Sequence, residues 1–176
     1  MNAGAVLVTG GLAVGKTAVG IELGELLEQS AAAGAVVDLD WLCWAWAEQL
    51  DANGIQSLLC ENLRVTVLHF LRRGCRHVVL CRTVLTVADV EGIKAAIGDL
   101  DLRTIRLTVA RTEAEARIRS RDNAAEALRH LEDLDAFDRA VSTAVPDAPV
   151  VDTTGRHAQE VAAEVLRVID WPLSEE

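Results

Sequence analysis

Hydrophobic and polar positions along the chain fall into blocks that alternate between a strand-like and a helix-like period. Residues 4–9 form a nearly unbroken apolar run, the pattern of a strand covered on both faces. Residues 15–30 follow with Val19, Leu23, Leu26 and Leu27 at helical spacing. A second strand is expected over 35–40, then helical stretches over 41–51 and 55–73, the latter closed by Gly74. Residues 76–81 read as a third strand, 87–98 as a helix, and 103–109 as a fourth strand with partial alternation. Residues 113–121 and 124–143 read as charge-rich helices and 149–152 as a short fifth strand. The last element, 160–169, is amphipathic, with Val161, Val165, Leu166 and Ile169 on one face. Strand and helix alternate throughout, which predicts an α/β fold with a parallel sheet wrapped by helices. In such sheets ligands bind beyond the carboxyl ends of the strands, so the residues after each strand are read as a set.

Composition narrows the class. At 176 residues the chain is long enough for one domain with a full core, and an apolar fraction of 51% is that of a globular protein. A net charge of −10 argues against a general nucleic-acid binder, which carries a basic face. The four cysteines, Cys43, Cys60, Cys75 and Cys81, have no metal-ligand spacing and sit in apolar surroundings, as reduced core thiols do. No basic segment precedes a long apolar core at the N-terminus, and no apolar run approaches the roughly 20 residues of a membrane span. A soluble, cytoplasmic protein without membrane partner is expected, as monomer or homodimer.

The chemistry is concentrated after the first apolar run. Gly10, Gly15, Lys16 and Thr17 fit the phosphate-loop pattern G-x-x-x-x-G-K-[ST]. Glycines let the backbone wrap a polyphosphate with several N–H groups pointing inward, and the following helix adds its positive dipole end. Lys16 then reaches the β- and γ-phosphates and the Thr17 hydroxyl ligates Mg²⁺. Lysine occurs only at positions 16 and 94, against fifteen arginines, so a lysine at this position is hard to ascribe to chance.

Other strand ends supply candidate partners. Asp38 and Asp40 end the second strand, where alternation puts two carboxylates on one side. One can hold Mg²⁺ through water and the other accept a proton from an attacking hydroxyl; Asp40 equally suits a helix N-cap. Arg82 follows the third strand, and Arg64 lies in the helix before it; both are candidates for clamping an anionic or hydroxylated acceptor, or for plain surface positions. Arg117 and Arg121 share a helix face and can neutralise charge on a transferred phosphoryl group. Pairing of Glu113 with Arg117 and of Glu115 with Arg119 accounts for two of these arginines but leaves Arg121 without such a partner. Residues 152–156, with Arg156, form a loop suited to a nucleotide base or to a turn and helix cap. Trp41, Trp44 and Trp46 follow the aspartates; core packing is the favoured reading, with an apolar or ring-bearing acceptor as the other.

Together these residues resemble the small P-loop kinases: adenylate, shikimate, gluconate and adenylylsulfate kinases and chloramphenicol phosphotransferase. The resemblance spans essentially the whole chain and is most specific at Gly10 to Thr17. It implies a three-layer α/β/α P-loop NTPase fold over residues 1–176, a five-stranded parallel sheet in the order 2-3-1-4-5, and a short helical lid over about 117–140. It implies ATP and Mg²⁺, with Gly10, Gly11, Leu12, Ala13, Val14, Gly15, Lys16, Thr17 and Ala18 cradling the nucleotide and Thr17 and Asp38 serving the metal. Asp38 and Asp40 look like the shikimate-kinase pair, the second contacting the acceptor hydroxyl, with Arg64 as an acceptor-binding arginine. By the same likeness Arg117 stacks on adenine, Arg121 is the lid arginine touching phosphates, and the loop of Arg156 lies near the base. The chain departs from the family in having Cys81-Arg82-Thr83 where shikimate kinases carry a glycine triplet, and in lacking the gluconate-kinase His-Phe signature and the long adenylate-kinase lid insertion.

The expectation is therefore an ATP- and Mg²⁺-dependent kinase phosphorylating a hydroxyl of a small molecule, with Lys16, Asp40 and Arg121 as catalytic groups. A nucleoside or nucleoside-monophosphate kinase, an antibiotic-modifying phosphotransferase and a non-kinase ATP-binding switch are the alternatives.

Overall fold

The computed structural model describes residues 3–48 and 50–171; Pro172, the acidic tail at 174–176 and Gln49 of the expected second helix lie outside them. Five parallel strands form one sheet: β1 (Gly4–Gly10), β2 (Gly34–Asp38), β3 (His77–Cys81), β4 (Asp101–Thr108) and β5 (Val150–Asp152), in the order β2-β3-β1-β4-β5. This is the order that the resemblance implies.

Alternation along β1 divides the core. Ala5 and Leu7 face α3 (Ala52–Arg72), α4 (Val87–Ile97) and α6 (Ala124–Ala144), where Leu59, Leu63, Ile93 and Val141 are buried. Val6 and Val8 face α1 (Lys16–Gln29) and α7 (Ala158–Ile169), where Leu23, Leu27, Val161 and Val165 are buried. Helices therefore cover both faces, which is why β1 and β3 are buried along their whole length. A separate small core, built on Ala114, Ile118, Ala127 and Leu134, joins α5 (Arg111–Arg121) to α6. These two helices, broken only at Asp122-Asn123, occupy the expected lid region and begin before residue 117.

The expected helix over 41–51 does not form. A single turn, α2 (Leu39–Leu42), ends at Cys43, and residues 43–48 are irregular. Tertiary partners take over from the helical ladder: the Leu42 carbonyl accepts from Asn62 Nδ2 of α3 at 2.7 Å, and Arg82 Nη1 lies 3.3 Å from Cys43 Sγ. The cap is Asp38, whose carboxylate accepts from the Asp40 amide at 3.1 Å, so Asp40 lies inside the turn and not at the end of a strand.

Candidate active site

The loop between β1 and α1 is shaped for an anion. Gly10 and Gly15 have φ of 152° and 92°, and Ala13 sits at 58°, so the backbone repeatedly takes values that L-residues avoid. A Cβ on Gly10 would lie 2.5 Å from the Leu107 carbonyl oxygen, so only glycine passes between β4 and the loop. No side chain caps the first turn of α1, leaving its leading amides free to meet phosphate oxygens. Lys16 folds back over the loop, its Nζ 2.8 Å from the Gly11 oxygen and 3.3 Å from that of Gly10. Burial pulls its ammonium down to about 8 and Arg121 adds to this, while Asp40, Cys81 and Asp38 oppose it. Lys16 thus lies within electrostatic reach of both aspartates and of Arg121.

Beside Lys16, the Thr17 hydroxyl donates to Asp38 Oδ2 at 2.7 Å. This hydroxyl and carboxylate are hard oxygen donors, and Mg²⁺ typically takes one or two carboxylates plus phosphates and water, so the pair fits the metal that the fold implies. Among the described residues no group of three or more His, Cys, Asp or Glu could hold a metal ion, so the nucleotide and water would complete the coordination. Asp40 pairs with Arg82 Nη1 at 2.9 Å. Lost hydration raises the Asp40 carboxyl above its ordinary value and Asp38 adds to this, against Arg82 and Lys16, although the side chain itself stays exposed. The loop carrying Arg82 is tied to β1: the Thr83 hydroxyl donates to the Gly10 oxygen at 3.2 Å and the Val84 amide to Thr9 Oγ1 at 3.2 Å.

A cleft of about 350 Å³ opens on the outer side of the loop. Its walls carry Arg117, Arg121 and Arg156 over an apolar floor of Val14, Val19 and Val161. Arg117 pairs with Glu113 at 2.5 Å, as its spacing predicts, and its Nη1 donates to the Ala13 oxygen at 3.0 Å and to Thr153 Oγ1 at 3.2 Å. Arg119 pairs with Glu115 at 3.4 Å. Glu113 also accepts the Gly155 amide at 2.8 Å, and the Ala110 amide donates to Thr154 Oγ1 at 2.7 Å, so α5 and the 152–156 loop are stitched together. Arg156 pairs with Glu164 at 2.7 Å on α7.

Several placements differ from the sequence reading or add to it. Arg121 has a partner after all, the carboxylate of Asp122, which His130 Nδ1 also approaches to 2.6 Å. That pairing joins adjacent residues, which i,i+4 helical spacing does not reveal, and the His130–Asp122 contact joins residues eight apart; neither Asp122 nor His130 carried a signal in the sequence. Arg64 is exposed on α3, on a different element from the Asp40–Arg82 pair. The tryptophans are not core: Trp41, Trp44 and Trp46 are 68%, 65% and 83% exposed.

A glycine loop after the first strand, a lysine folded over it and the order 2-3-1-4-5 define the fold of the small P-loop kinases. Solved structures with this fold align over nearly the whole chain. The APS kinase of Mycobacterium tuberculosis in complex with AMPPNP and APS is 20% identical, covering 97% of this chain and 100% of that one, with a TM-score of 0.59. An unliganded sugar kinase from Janibacter sp. HTCC2649 is 11% identical, covering 99% of both chains, with a TM-score of 0.65. The Deinococcus radiodurans tunicamycin resistance protein is 13% identical, covering 98% of this chain and 99% of that one, with a TM-score of 0.60. At these identities the likeness is one of fold. No family model matches the chain, and no curated protein matches it. Among the described residues no helix is long and apolar enough to cross a membrane.

Proposed function

We propose that the protein is an ATP- and Mg²⁺-dependent kinase that phosphorylates a hydroxyl of a small molecule in the cytoplasm. The observation that carries this reading is the coupling of two chemically different ends of one site. Lys16 and the uncapped α1 amides suit a triphosphate, while Asp40, close enough to bias the Lys16 ammonium, and its partner Arg82 suit a hydroxylated acceptor. The fold of the chain is shared with an APS kinase and a sugar kinase, which supports the same reading.

In this reading the acceptor oxygen attacks the γ-phosphorus and the bond to the β,γ-bridging oxygen breaks, releasing ADP. Asp40, whose carboxyl is raised above its ordinary value by lost hydration and so is a stronger base than a free carboxylate, orients the hydroxyl and takes its proton. Mg²⁺, when bound, screens the phosphate charge. Thr17 and Asp38 hold it, Lys16 meets the β- and γ-oxygens, and Arg121 swings from Asp122 towards the charge on the transferred group. Arg117 and Arg156 line the nucleotide cleft, with Arg117 against the adenine ring. Arg64 is assigned to the acceptor side only as an outlying positive charge.

The test is ADP release with ATP and Mg²⁺ across sugars, sugar acids, nucleosides, nucleoside monophosphates and hydroxylated antibiotics, with Lys16→Ala as control. Release that depends on one acceptor class and vanishes in Lys16→Ala supports a kinase and names its subclass. Slow release that ignores every acceptor, with ATP still bound, sinks the kinase and leaves a nucleotide-dependent switch.

A further inference from the structure

Tryptophan placement on this molecule is lopsided. The chain has four tryptophans, no tyrosine and two phenylalanines. Trp171 is buried edge-on against His77. The other three, at 41, 44 and 46, fall within the six residues after Asp40, and each is at least 65% exposed. Leaving large indoles in water forfeits the burial that normally holds tryptophan inside, and clustered exposed apolar surface marks binding sites.

The segment is anchored while its rings are not. Arg82 Nη1 contacts Asp40 at 2.9 Å and Cys43 Sγ at 3.3 Å, and Asn62 holds the Leu42 carbonyl at 2.7 Å. Trp41 and Trp44 are the residues directly after the two that Arg82 holds. Their rings pack against each other at 4.7 Å between centroids, tilted by 31°, which stiffens them into a shared apolar surface. Fixed backbone with presented rings is the arrangement of a platform. Trp41 directly follows Asp40, the carboxylate assigned to the acceptor hydroxyl, in the chain.

We propose that Trp41 and Trp44 form a stacking platform for the acceptor, which is therefore a hydroxylated molecule with a flat or apolar ring face. This rests on the kinase reading for Asp40, and it specifies the acceptor class that the reading leaves open. The ring lies on the indoles and its hydroxyl projects to Asp40. Two sources supply such a face, an aromatic ring and the apolar side of a sugar ring. An open-chain acceptor offers neither.

Initial rates of ADP release are compared for phenyl β-glucoside, methyl β-glucoside and uridine against glycerol, gluconate and serine. Ring-bearing acceptors are expected to saturate; preference for uridine and the phenyl glucoside over the methyl glucoside identifies an aromatic face, and equal use of both glucosides a sugar face. The Trp41→Ala/Trp44→Ala variant is expected to raise the acceptor KM at least tenfold while the KM for ATP is unchanged, and Trp41→Phe/Trp44→Phe to restore most of the loss. Saturation by an open-chain acceptor, or an unchanged acceptor KM in the alanine variant, overturns the platform and leaves the kinase standing. If the wild type phosphorylates nothing, the kinase reading fails separately. The platform is then judged by titrating uridine and phenyl β-glucoside against tryptophan fluorescence. Quenching lost in the alanine variant upholds a ring site, and no quenching by either compound, or quenching of the wild type only by an added protein partner, removes it.

Discussion

Arg121 sets its Nε 2.6 Å and its Nη2 3.3 Å from the two carboxylate oxygens of Asp122, the residue that follows it. The same carboxylate meets His130 Nδ1 at 2.6 Å, and the Asp122 side chain is only 7% exposed. Arg121 first, then His130, hold the Asp122 carboxyl down to about 2. A carboxyl depressed in the folded state stabilises the fold above its unfolded value of about 4 and loses that contribution as pH falls through the folded value. Asp122→Asn carries no such titration. Thermal unfolding is therefore expected to place the variant below the wild type near pH 5, with the gap closing as pH falls towards about 2. A gap that stays constant over that range would mean that the Asp122 charge contributes nothing to the corner between α5 and α6.

Lys16 titrates near the working range of a proton-uptake experiment. In the free protein its ammonium loses its proton as pH rises through about 8. Polyphosphate beside it favours the charged form and lifts that value. Binding of ATP at pH 8 is thus expected to take up about half a proton, and binding at pH 6 almost none from this group. Calorimetry in two buffers of different ionisation enthalpy reads the uptake. Lys16→Ala should abolish both the uptake and turnover; uptake that persists in the variant would assign the proton elsewhere.

Asp38 has two jobs that one substitution separates. Its carboxylate caps α2 through the Asp40 amide and accepts from the Thr17 hydroxyl. Asparagine caps about as well as aspartate but lacks the charge that a metal requires. Asp38→Asn is therefore expected to keep the thermal midpoint while raising the Mg²⁺ concentration for half-maximal ADP release by roughly 10- to 100-fold. An unchanged Mg²⁺ requirement would leave Asp38 as a cap alone.

The sheet and the phosphate loop were legible because each rests on local rules. A strand buried on both faces reads as an apolar run, and a loop around phosphate requires glycine at fixed offsets. The segment after Asp40 was not legible. Its spacing and composition suit a helix, but Asn62 and Arg82, which reach it from distant points in sequence, take the Leu42 carbonyl and Cys43 Sγ instead. Trp41 within that turn and Trp44 and Trp46 after it all lie outside the core. The ties of Arg121 to Asp122 and of Arg117 to Thr153 escaped for a related reason, since one is too short-range for helical spacing and the other joins residues 36 apart.

Gly20, with Gly24 against Val36, lets α1 ride close on the sheet. A Cβ on Gly20 would lie 2.2 Å from Cys81 Sγ, a buried sulfur itself 3.5 Å from the Lys16 carbonyl oxygen. Alanine gains about 1 kcal/mol of helix propensity over glycine, but overpacking a filled core costs about 1–3 kcal/mol, and a contact this short belongs at the upper end. Gly20→Ala should therefore destabilise the protein by about 1–2 kcal/mol, contrary to propensity. Cys81→Ala removes the clashing atom, and in the double variant the new methyl group fills part of the space that the sulfur leaves. A favourable coupling of about 1–3 kcal/mol is expected from a urea-unfolding double-mutant cycle. Additive effects would mean that α1 shifts to accommodate the methyl group. Because Lys16 and Thr17 open that helix, such a shift would also move the phosphate loop, and weakened ATP binding in Gly20→Ala, restored by Cys81→Ala, would trace the site's geometry to this single contact.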